Sequence, residues 1–202
     1  MFYKVMRCIA KLLITVPHRI NYEGLENIPK DGAVMLVANH QQAYDPLLLG
    51  LATQREVVFI AKEELFKGKF LTWFFKKLHV IALDREGVDR KAIKEAINVL
   101  KSGGVLGVFP EGTRSKTGDL LPFKTGSCFI ASQAPCEIVP IGIHYDDGLL
   151  NYFGKPVTVR VGKSFPYEGK EGEKRKETQE RMLEKQEKAV YDLVFPESKN
   201  IV

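Results

Sequence analysis

The chain has 202 residues, of which 45% are hydrophobic and 27% are charged. This composition excludes a disordered or fibrous protein and is typical of one globular domain with a substantial core. The net charge of +5 at pH 7 favours an anionic partner, which could be a phospholipid surface, a phosphorylated metabolite, an acidic carrier protein or nucleic acid.

Residues 1–17 predict an amphipathic helix that ends at Pro17. Its apolar face carries Val5, Ile9, Leu12, Leu13 and Val16, and its basic residues fall largely elsewhere. A basic helix of this kind can lie in a membrane interface or pack on the protein's own core, and the pattern leaves both open. No run approaches the ~20 apolar residues that a membrane-spanning helix needs. No small-residue cleavage site marks a secretory signal peptide.

The three cysteines form neither a metal-binding pattern nor a paired one. An odd number without a signal peptide favours a reducing, intracellular setting. We interpret all three as small buried hydrophobic residues, namely Cys8, Cys128 and Cys136.

Short apolar runs predict six buried strands, at residues 33–38, 57–61, 80–83, 105–109, 138–143 and 157–161. Helical patterns separate several of them, at 47–52 with Asp45 as the N-cap and Pro46 as the first helical position, and at 62–78, 90–100 and 125–133. A mostly exposed helix is predicted within 170–195. This alternation predicts one α/β domain over 1–202, a mixed, mostly parallel sheet flanked by helices, with a core at 30–165.

The segment 62–78 combines aromatic residues with lysines, including Phe66, Phe70, Trp73, Phe74 and Phe75. Aromatic residues beside lysines favour the boundary between lipid tails and phosphates. The same mixture would suit stacking on single-stranded nucleic acid. An aromatic stripe facing the core, with the lysines in solvent, explains it equally well.

A histidine and an aspartate follow the first predicted strand with four residues between them, as Asn39-His40-Gln41-Gln42-Ala43-Tyr44-Asp45-Pro46. A neutral imidazole can accept a hydroxyl proton at physiological pH. Asp45 can accept a hydrogen bond from the other ring nitrogen of His40, which fixes the tautomer and stabilises the imidazolium. The pair predicts a general base that acts on a hydroxyl supplied by the substrate. A metal site is disfavoured, because the remaining histidines are scattered.

The turn Phe109-Pro110-Glu111-Gly112-Thr113-Arg114-Ser115 predicts an anion-binding loop. Gly112 permits a tight turn with converging N–H groups. Arg114 can bind a phosphate bidentately, and Thr113 and Ser115 can add hydroxyl donors. Glu111 can hold the arginine or accept from a substrate hydroxyl. A polar turn with an internal Glu–Arg pair is the alternative.

Arg85 follows a third strand, so His40, Arg85 and Glu111 each come just after a predicted strand. The ends of consecutive strands in an α/β sheet gather at one edge, where ligands bind. We therefore expect the three residues to share one site.

Four ordered segments resemble the motifs of the glycerolipid acyltransferase family, and most closely its bacterial 1-acyl-sn-glycerol-3-phosphate acyltransferases of the PlsC type. The segments are Asn39–Pro46, Val80–Arg85, Phe109–Ser115 and Val139-Pro140-Ile141-Gly142. Phe123-Lys124-Thr125-Gly126 is also similar to the segment that commonly follows the third motif.

The resemblance implies that His40, oriented by Asp45, takes the proton from the sn-2 hydroxyl of lysophosphatidic acid, which then attacks an acyl thioester to give phosphatidic acid. The acyl donor would be an acyl carrier protein or coenzyme A thioester, with no metal and no bound cofactor. The acceptor's phosphate and glycerol would be bound by Arg85, Glu111, Gly112, Thr113, Arg114 and Ser115. The fourth motif, Val139 to Gly142, would line the acyl pocket or wall the site.

An enzyme of this kind would lie peripherally or monotopically on the anionic cytoplasmic face of the cell membrane and act in phospholipid biosynthesis, with no nucleic-acid partner. Two alternatives remain open at this point. One is acylation of glycerol-3-phosphate or another lysophospholipid. The other is a non-catalytic module that binds anionic lipid or nucleic acid, in which His40 and Asp45 are structural.

Overall fold

The computed structural model describes residues 2–15, 19–84, 89–145 and 156–196. The helices within these ranges are α1 (Phe2–Thr15), α2 (Asp45–Ala52), α3 (Lys69–Lys77), α4 (Arg90–Lys101), α5 (Gly126–Gln133) and α6 (Arg175–Val194). The strands are β1 (Arg19–Glu23), β2 (Val34–Ala38), β3 (Val57–Lys62), β4 (Ile81–Leu83), β5 (Val105–Val108), β6 (Glu137–Tyr145), β7 (Pro156–Val161) and β8 (Phe165–Pro166).

The strands form one mixed, mostly parallel sheet in the order β1-β7-β6-β2-β5-β3-β4, with β8 paired to β6. The neighbours β6, β2, β5, β3 and β4 are all parallel. The antiparallel pairings are those of β6 with β7 and with β8. The predicted fold class is therefore confirmed, and the carboxyl ends of β2, β5 and β4 meet at one edge of the sheet.

The central strand β2 is buried on both faces, as its unbroken apolar sequence predicts. Met35 and Val37 pack in the cluster that contains residues of α4, α5 and α6. Val34 and Leu36 point the other way, into the cluster that contains residues of α1 and α2. The sheet is thus a middle layer between two layers of helices.

The sequence missed β1 and β8 among the described strands. The burial of β1 alternates between exposed and half-buried, and its sequence Arg19-Ile20-Asn21-Tyr22-Glu23 carries charges at both ends. It pairs with β7 alone, at the border of the sheet. An edge strand that is half in solvent lacks the apolar run on which the strand predictions relied.

Three local predictions were wrong. Residues 62–78 form a short 3-10 helix, Glu63–Phe66, and then α3, because Gly68 interrupts them with a φ of 86°. Tyr44 occupies the N-cap of α2, and Asp45 lies inside the first turn. Cys8 is exposed, whereas Cys128 and Cys136 are buried as expected.

The N-terminal helix α1 packs on the domain through a face that the sequence did not single out. The backbone N–H of Val57 donates to the Tyr3 hydroxyl over 3.0 Å, and Arg7 Nη1 donates to Gln54 Oε1 over 2.6 Å. The predicted apolar face stays outside, since Val5 and Ile9 are both exposed. No helix in the described ranges combines the length and hydropathy required to cross a membrane.

Candidate active site

Asn39 fixes the point where the chain leaves β2. The β2–β6 ladder runs to the pair Ala38 and Ile141. Beyond it, the Asn39 side chain continues the pairing, because Nδ2 donates to the Ile143 carbonyl over 2.9 Å and Oδ1 accepts from the Ile143 N–H over 2.8 Å. An asparagine amide can replace one backbone unit of a ladder in this way. His40, the next residue, therefore starts from a rigid position.

His40 and Asp45 form the pair that their spacing predicts. His40 Nδ1 lies 2.8 Å from Asp45 Oδ2. The same carboxylate oxygen accepts the backbone N–H groups of Gln41 and Gln42 over 2.7 and 2.8 Å. A carboxylate with these donors accepts from the ring, so the imidazole proton sits on Nδ1 and Nε2 is left to accept one.

The pair is asymmetric in its exposure, as a base and its orienting group should be. The Asp45 side chain is fully buried, whereas 19% of the His40 side chain is exposed. A buried carboxylate surrounded by donors stays fixed, and a partly open imidazole can meet a substrate.

The loop of the third motif holds the backbone of His40 from both sides. Glu111 Oε1 accepts the His40 N–H over 2.7 Å, and the Ser115 N–H donates to the His40 carbonyl over 2.8 Å. Glu111 Oε2 accepts the Leu121 N–H over 3.2 Å. The two motifs meet at the sheet edge, as expected from their positions after β2 and β5.

Glu111 is nearly inaccessible, with 2% of its surface exposed. Burial raises the pKa of Glu111 to about 7, the His40 and Leu121 N–H groups lower this pKa, and the Asp45 charge raises it. Both of its oxygens are engaged by backbone donors, which suits a group that organises the loop.

An aromatic stack packs against one face of the His40 imidazole. The rings of His40 and Phe109 are stacked, with centroids 4.2 Å apart and 22° between their planes. Phe59 stacks in turn on Phe109 at 6.3 Å. Gly107 makes room for this arrangement, because a Cβ at that position would clash with the Phe59 ring.

The predicted anion-binding residues of the turn divide into exposed and buried groups. Gly112 has a φ of 69°, the conformation that a tight turn requires of glycine. Thr113 and Arg114 are exposed, whereas Ser115 is buried and its hydroxyl accepts the Gly118 N–H over 3.2 Å. A Cβ on Gly112 would lie 3.0 Å from Lys124 Nζ, so a second cation lies over this turn.

The fourth motif is an internal part of β6. Val139, Pro140, Ile141 and Gly142 are all buried. Val139 and Ile141 pack in the cluster shared with α1 and α2. Gly142 lets α6 lie directly on the strand, because a Cβ there would come within 2.6 Å of Leu193.

The structure brings together His40, Asp45 and the Glu111–Ser115 loop, and Arg85 lies outside the described residues. Sequence reasoning missed Asn39, Phe109 and Lys124 as parts of the site. Asn39 and Phe109 flank the motif residues that were assigned a role. The Phe123–Gly126 segment, which holds Lys124, is similar to a family segment but carried no predicted role. Among the described residues, no group of three or more His, Cys, Asp and Glu side chains could hold a metal ion.

Comparisons with known proteins identify the family of the chain. The family model described as Acyltransferase matches residues 19–144. The chain is 32% identical over 139 residues to the 1-acyl-sn-glycerol-3-phosphate acyltransferase of Bacillus subtilis strain 168, covering 68% of this chain and 69% of that relative. It is 32% identical over 165 residues to the enzyme of that name from Borreliella burgdorferi, covering 81% of this chain and 65% of that relative. The chain thus spans about two thirds of the length of these relatives.

One similar solved structure is the crystal structure of the 1-acyl-sn-glycerophosphate (LPA) acyltransferase PlsC from Thermotoga maritima. It superposes with a TM-score of 0.74 and 31% sequence identity, covering 95% of this chain and 79% of that chain. The matched residues 19–144 include the His40–Asp45 pair and the Glu111–Ser115 loop. This chain belongs to the acyltransferase family.

Proposed function

We propose that the chain transfers a fatty acyl group from a thioester to the sn-2 hydroxyl of lysophosphatidic acid, giving phosphatidic acid. The observation that carries the proposal is the 2.8 Å contact between His40 Nδ1 and the fully buried Asp45 carboxylate, with the imidazole itself partly open. Relatives named for this activity cover most of the chain, which supports the choice of substrate.

In the proposed reaction, His40 Nε2 accepts the proton of the sn-2 hydroxyl while the hydroxyl oxygen attacks the thioester carbonyl carbon. A C–O bond forms, and the carbonyl electrons move onto the oxygen of a tetrahedral intermediate. The intermediate collapses with cleavage of the C–S bond, and the imidazolium returns its proton to the leaving thiolate. Asp45 stabilises the imidazolium throughout, since its carboxylate faces Nδ1.

The exposed side chains of the third motif are the proposed binding site for the acceptor's phosphate. Arg114 and Thr113 face solvent, and Lys124 Nζ lies over Gly112. A guanidinium, an ammonium and a hydroxyl are typical phosphate ligands. We include Arg85 in this proposed phosphate site because it belongs to the second motif, Val80–Arg85.

Glu111 and Ser115 have a different part in this proposal. Both are buried and bound to the backbone of His40, so they position the base and shape the loop beneath the acceptor. Val139 to Gly142 are the proposed backing of the site wall from within β6, where all four are buried.

The proposed acyl donor is an acyl carrier protein or coenzyme A thioester, and no bound cofactor is needed. The reaction uses only the imidazole, the carboxylate and the two substrates. The proton taken from the hydroxyl is returned to the leaving thiolate. The thioester supplies its own leaving group, so no oxidant or reductant enters.

We also propose that the enzyme acts peripherally or monotopically at the cytoplasmic face of the membrane. The exposed apolar residues of α1 and α3 adjoin one another, because Phe2 contacts the rings of Trp73 and Phe74 at 5.6 and 6.2 Å. Phe70 is 71% exposed and Trp73 49% exposed. Aromatic side chains flanked by lysines favour a lipid interface with anionic headgroups.

The test is an assay of the purified chain with matched acyl carrier protein and coenzyme A thioesters, and with lysophosphatidic acid, glycerol-3-phosphate and lysophosphatidylcholine as acceptors. We expect phosphatidic acid from lysophosphatidic acid and its loss in His40→Ala, by roughly 10²-fold or more for a missing general base. A preference for glycerol-3-phosphate or another lysophospholipid would replace the proposed acceptor. A His40→Ala variant with normal turnover would overturn the mechanism.

A further inference from the structure

One polar group of the site has no part in the chemistry above, although it contacts the catalytic pair. Tyr145 is the last residue of β6, and its hydroxyl donates a hydrogen bond to Asp45 Oδ1. The donors from His40, Gln41 and Gln42 all meet the other carboxylate oxygen, Oδ2. Tyr145 is therefore placed to hold the carboxylate oxygen opposite the one that these three donors contact.

We infer that Tyr145 is a positioning residue that acts through Asp45 on His40, and thereby sets the orientation of the imidazole. This inference rests on the proposed role of His40 as the general base. It extends the His40–Asp45 pair to a chain of three side chains that links the end of β6 to the substrate-facing nitrogen.

The hydroxyl is a donor to Asp45 under working conditions. Burial, and next the charge of Asp45, raise the pKa of Tyr145 far above its ordinary value of 10.0. The phenol therefore keeps its proton, and a protonated phenol beside a carboxylate donates. A hydrogen bond to a charged acceptor is stronger than one between neutral groups.

The bond fixes the orientation of the imidazole. It prevents rotation of the Asp45 carboxylate, so Oδ2 stays in line with His40 Nδ1.

The test is Tyr145→Phe, assayed with lysophosphatidic acid and a saturating acyl thioester. We expect kcat to fall roughly tenfold, the size that follows from one lost hydrogen bond to a charged group, with the KM for lysophosphatidic acid unchanged.

Tyr22→Phe is the matched control. The Tyr22 hydroxyl donates to the Leu48 carbonyl over 3.0 Å, so it also joins a strand to α2 but does not touch the Asp45 carboxylate. Tyr22→Phe should lower stability and leave kcat as in the unmodified protein. An equal effect of the two variants on kcat would reduce Tyr145 to a structural contact and overturn the inference.

A double-mutant cycle shows whether Tyr145 acts through Asp45. In an Asp45→Asn background, Tyr145→Phe should have little further effect on the residual rate. The same fold-loss in both backgrounds would overturn the inference, as would an unchanged kcat in Tyr145→Phe alone. Failure of the proposed function looks different, because the unmodified protein would then make no phosphatidic acid, or would make it without His40.

Discussion

Glu111 Oε1 lies 2.7 Å from the backbone nitrogen of His40, so the third motif holds the backbone of the first. The contact joins segments 71 residues apart in the chain. It places a carboxylate in a buried position, where the charged form is disfavoured, and burial raises the pKa of Glu111 to about 7.

The first prediction concerns the pH dependence of stability. The carboxyl of Glu111 has a pKa of about 7 in the folded chain and 4.5 as its ordinary value. Between these values the folded state binds more protons than the unfolded state, so the free energy of unfolding falls as the pH rises. The neutral carboxyl group of Glu111 contributes about 3 kcal/mol to the free energy of unfolding below pH 4.5. This contribution is lost as the pH rises from 4.5 to about 7.

Urea unfolding at pH 5, 6, 7 and 8 measures this effect. Glu111→Gln should flatten the curve in that window, whereas Glu64→Gln, which changes an exposed carboxylate, should not. Parallel curves for Glu111→Gln and the unmodified protein would show that Glu111 ionises normally.

The second prediction concerns the acceptor's phosphate. Arg114→Ala should raise the KM for lysophosphatidic acid roughly 10- to 100-fold, because a charge-assisted contact of this kind contributes about 1.5–3 kcal/mol. The kcat should change little, since the exposed guanidinium lies outside the hydrogen bonds that hold His40. Lys116→Ala, two positions along and equally exposed, is the control. If both variants raise KM alike, the loop contributes only general positive charge.

The third prediction tests the aromatic stack below the imidazole. Gly107→Ala should displace Phe59 and, through Phe109, the ring of His40. Overpacking of this kind costs about 1–3 kcal/mol. Adding Phe59→Leu should recover part of the stability, because it removes the clashing ring. Gly126→Ala provides the control, since a Cβ there meets nothing within 4 Å. If Gly107→Ala changed neither the thermal unfolding temperature nor kcat, the stack of Phe59, Phe109 and His40 would be refuted.

The sequence predicted those parts of the fold that depend on burial alone. Strands such as β2 and β5 are apolar throughout because both faces of the sheet are covered, and their ends brought His40 and Glu111 to one edge as expected. The border strand β1 carries no such signal. The break at Gly68 was missed because the aromatic spacing continues across it.

Within the site, the sequence predicted the His40–Asp45 pair and the meeting of His40 with Glu111, but it missed two other long-range contacts. His40 and Asp45 are five residues apart, so one loop suffices to join them. Tyr145 contacts Asp45 across 100 residues and Asn39 contacts Ile143 across 104. These two contacts depend on strand order and register, which no local pattern contains. The expected N-cap at Asp45 was wrong, because the carboxylate faces His40 and Tyr145 instead.

The last prediction concerns the apolar surface formed by α1 and α3. Phe70 and Trp73 are large and exposed, and their burial in a lipid interface would stabilise binding by several kcal/mol at roughly 25 cal/mol per Å². Phe70→Ser with Trp73→Ser should abolish co-sedimentation with phosphatidylglycerol vesicles and leave kcat for a short-chain, soluble acceptor unchanged. Tyr191→Ser alters an exposed aromatic residue on α6 and should leave vesicle binding intact. Retained binding in the double variant would exclude this surface as the membrane contact, because its two largest exposed apolar side chains would then be dispensable.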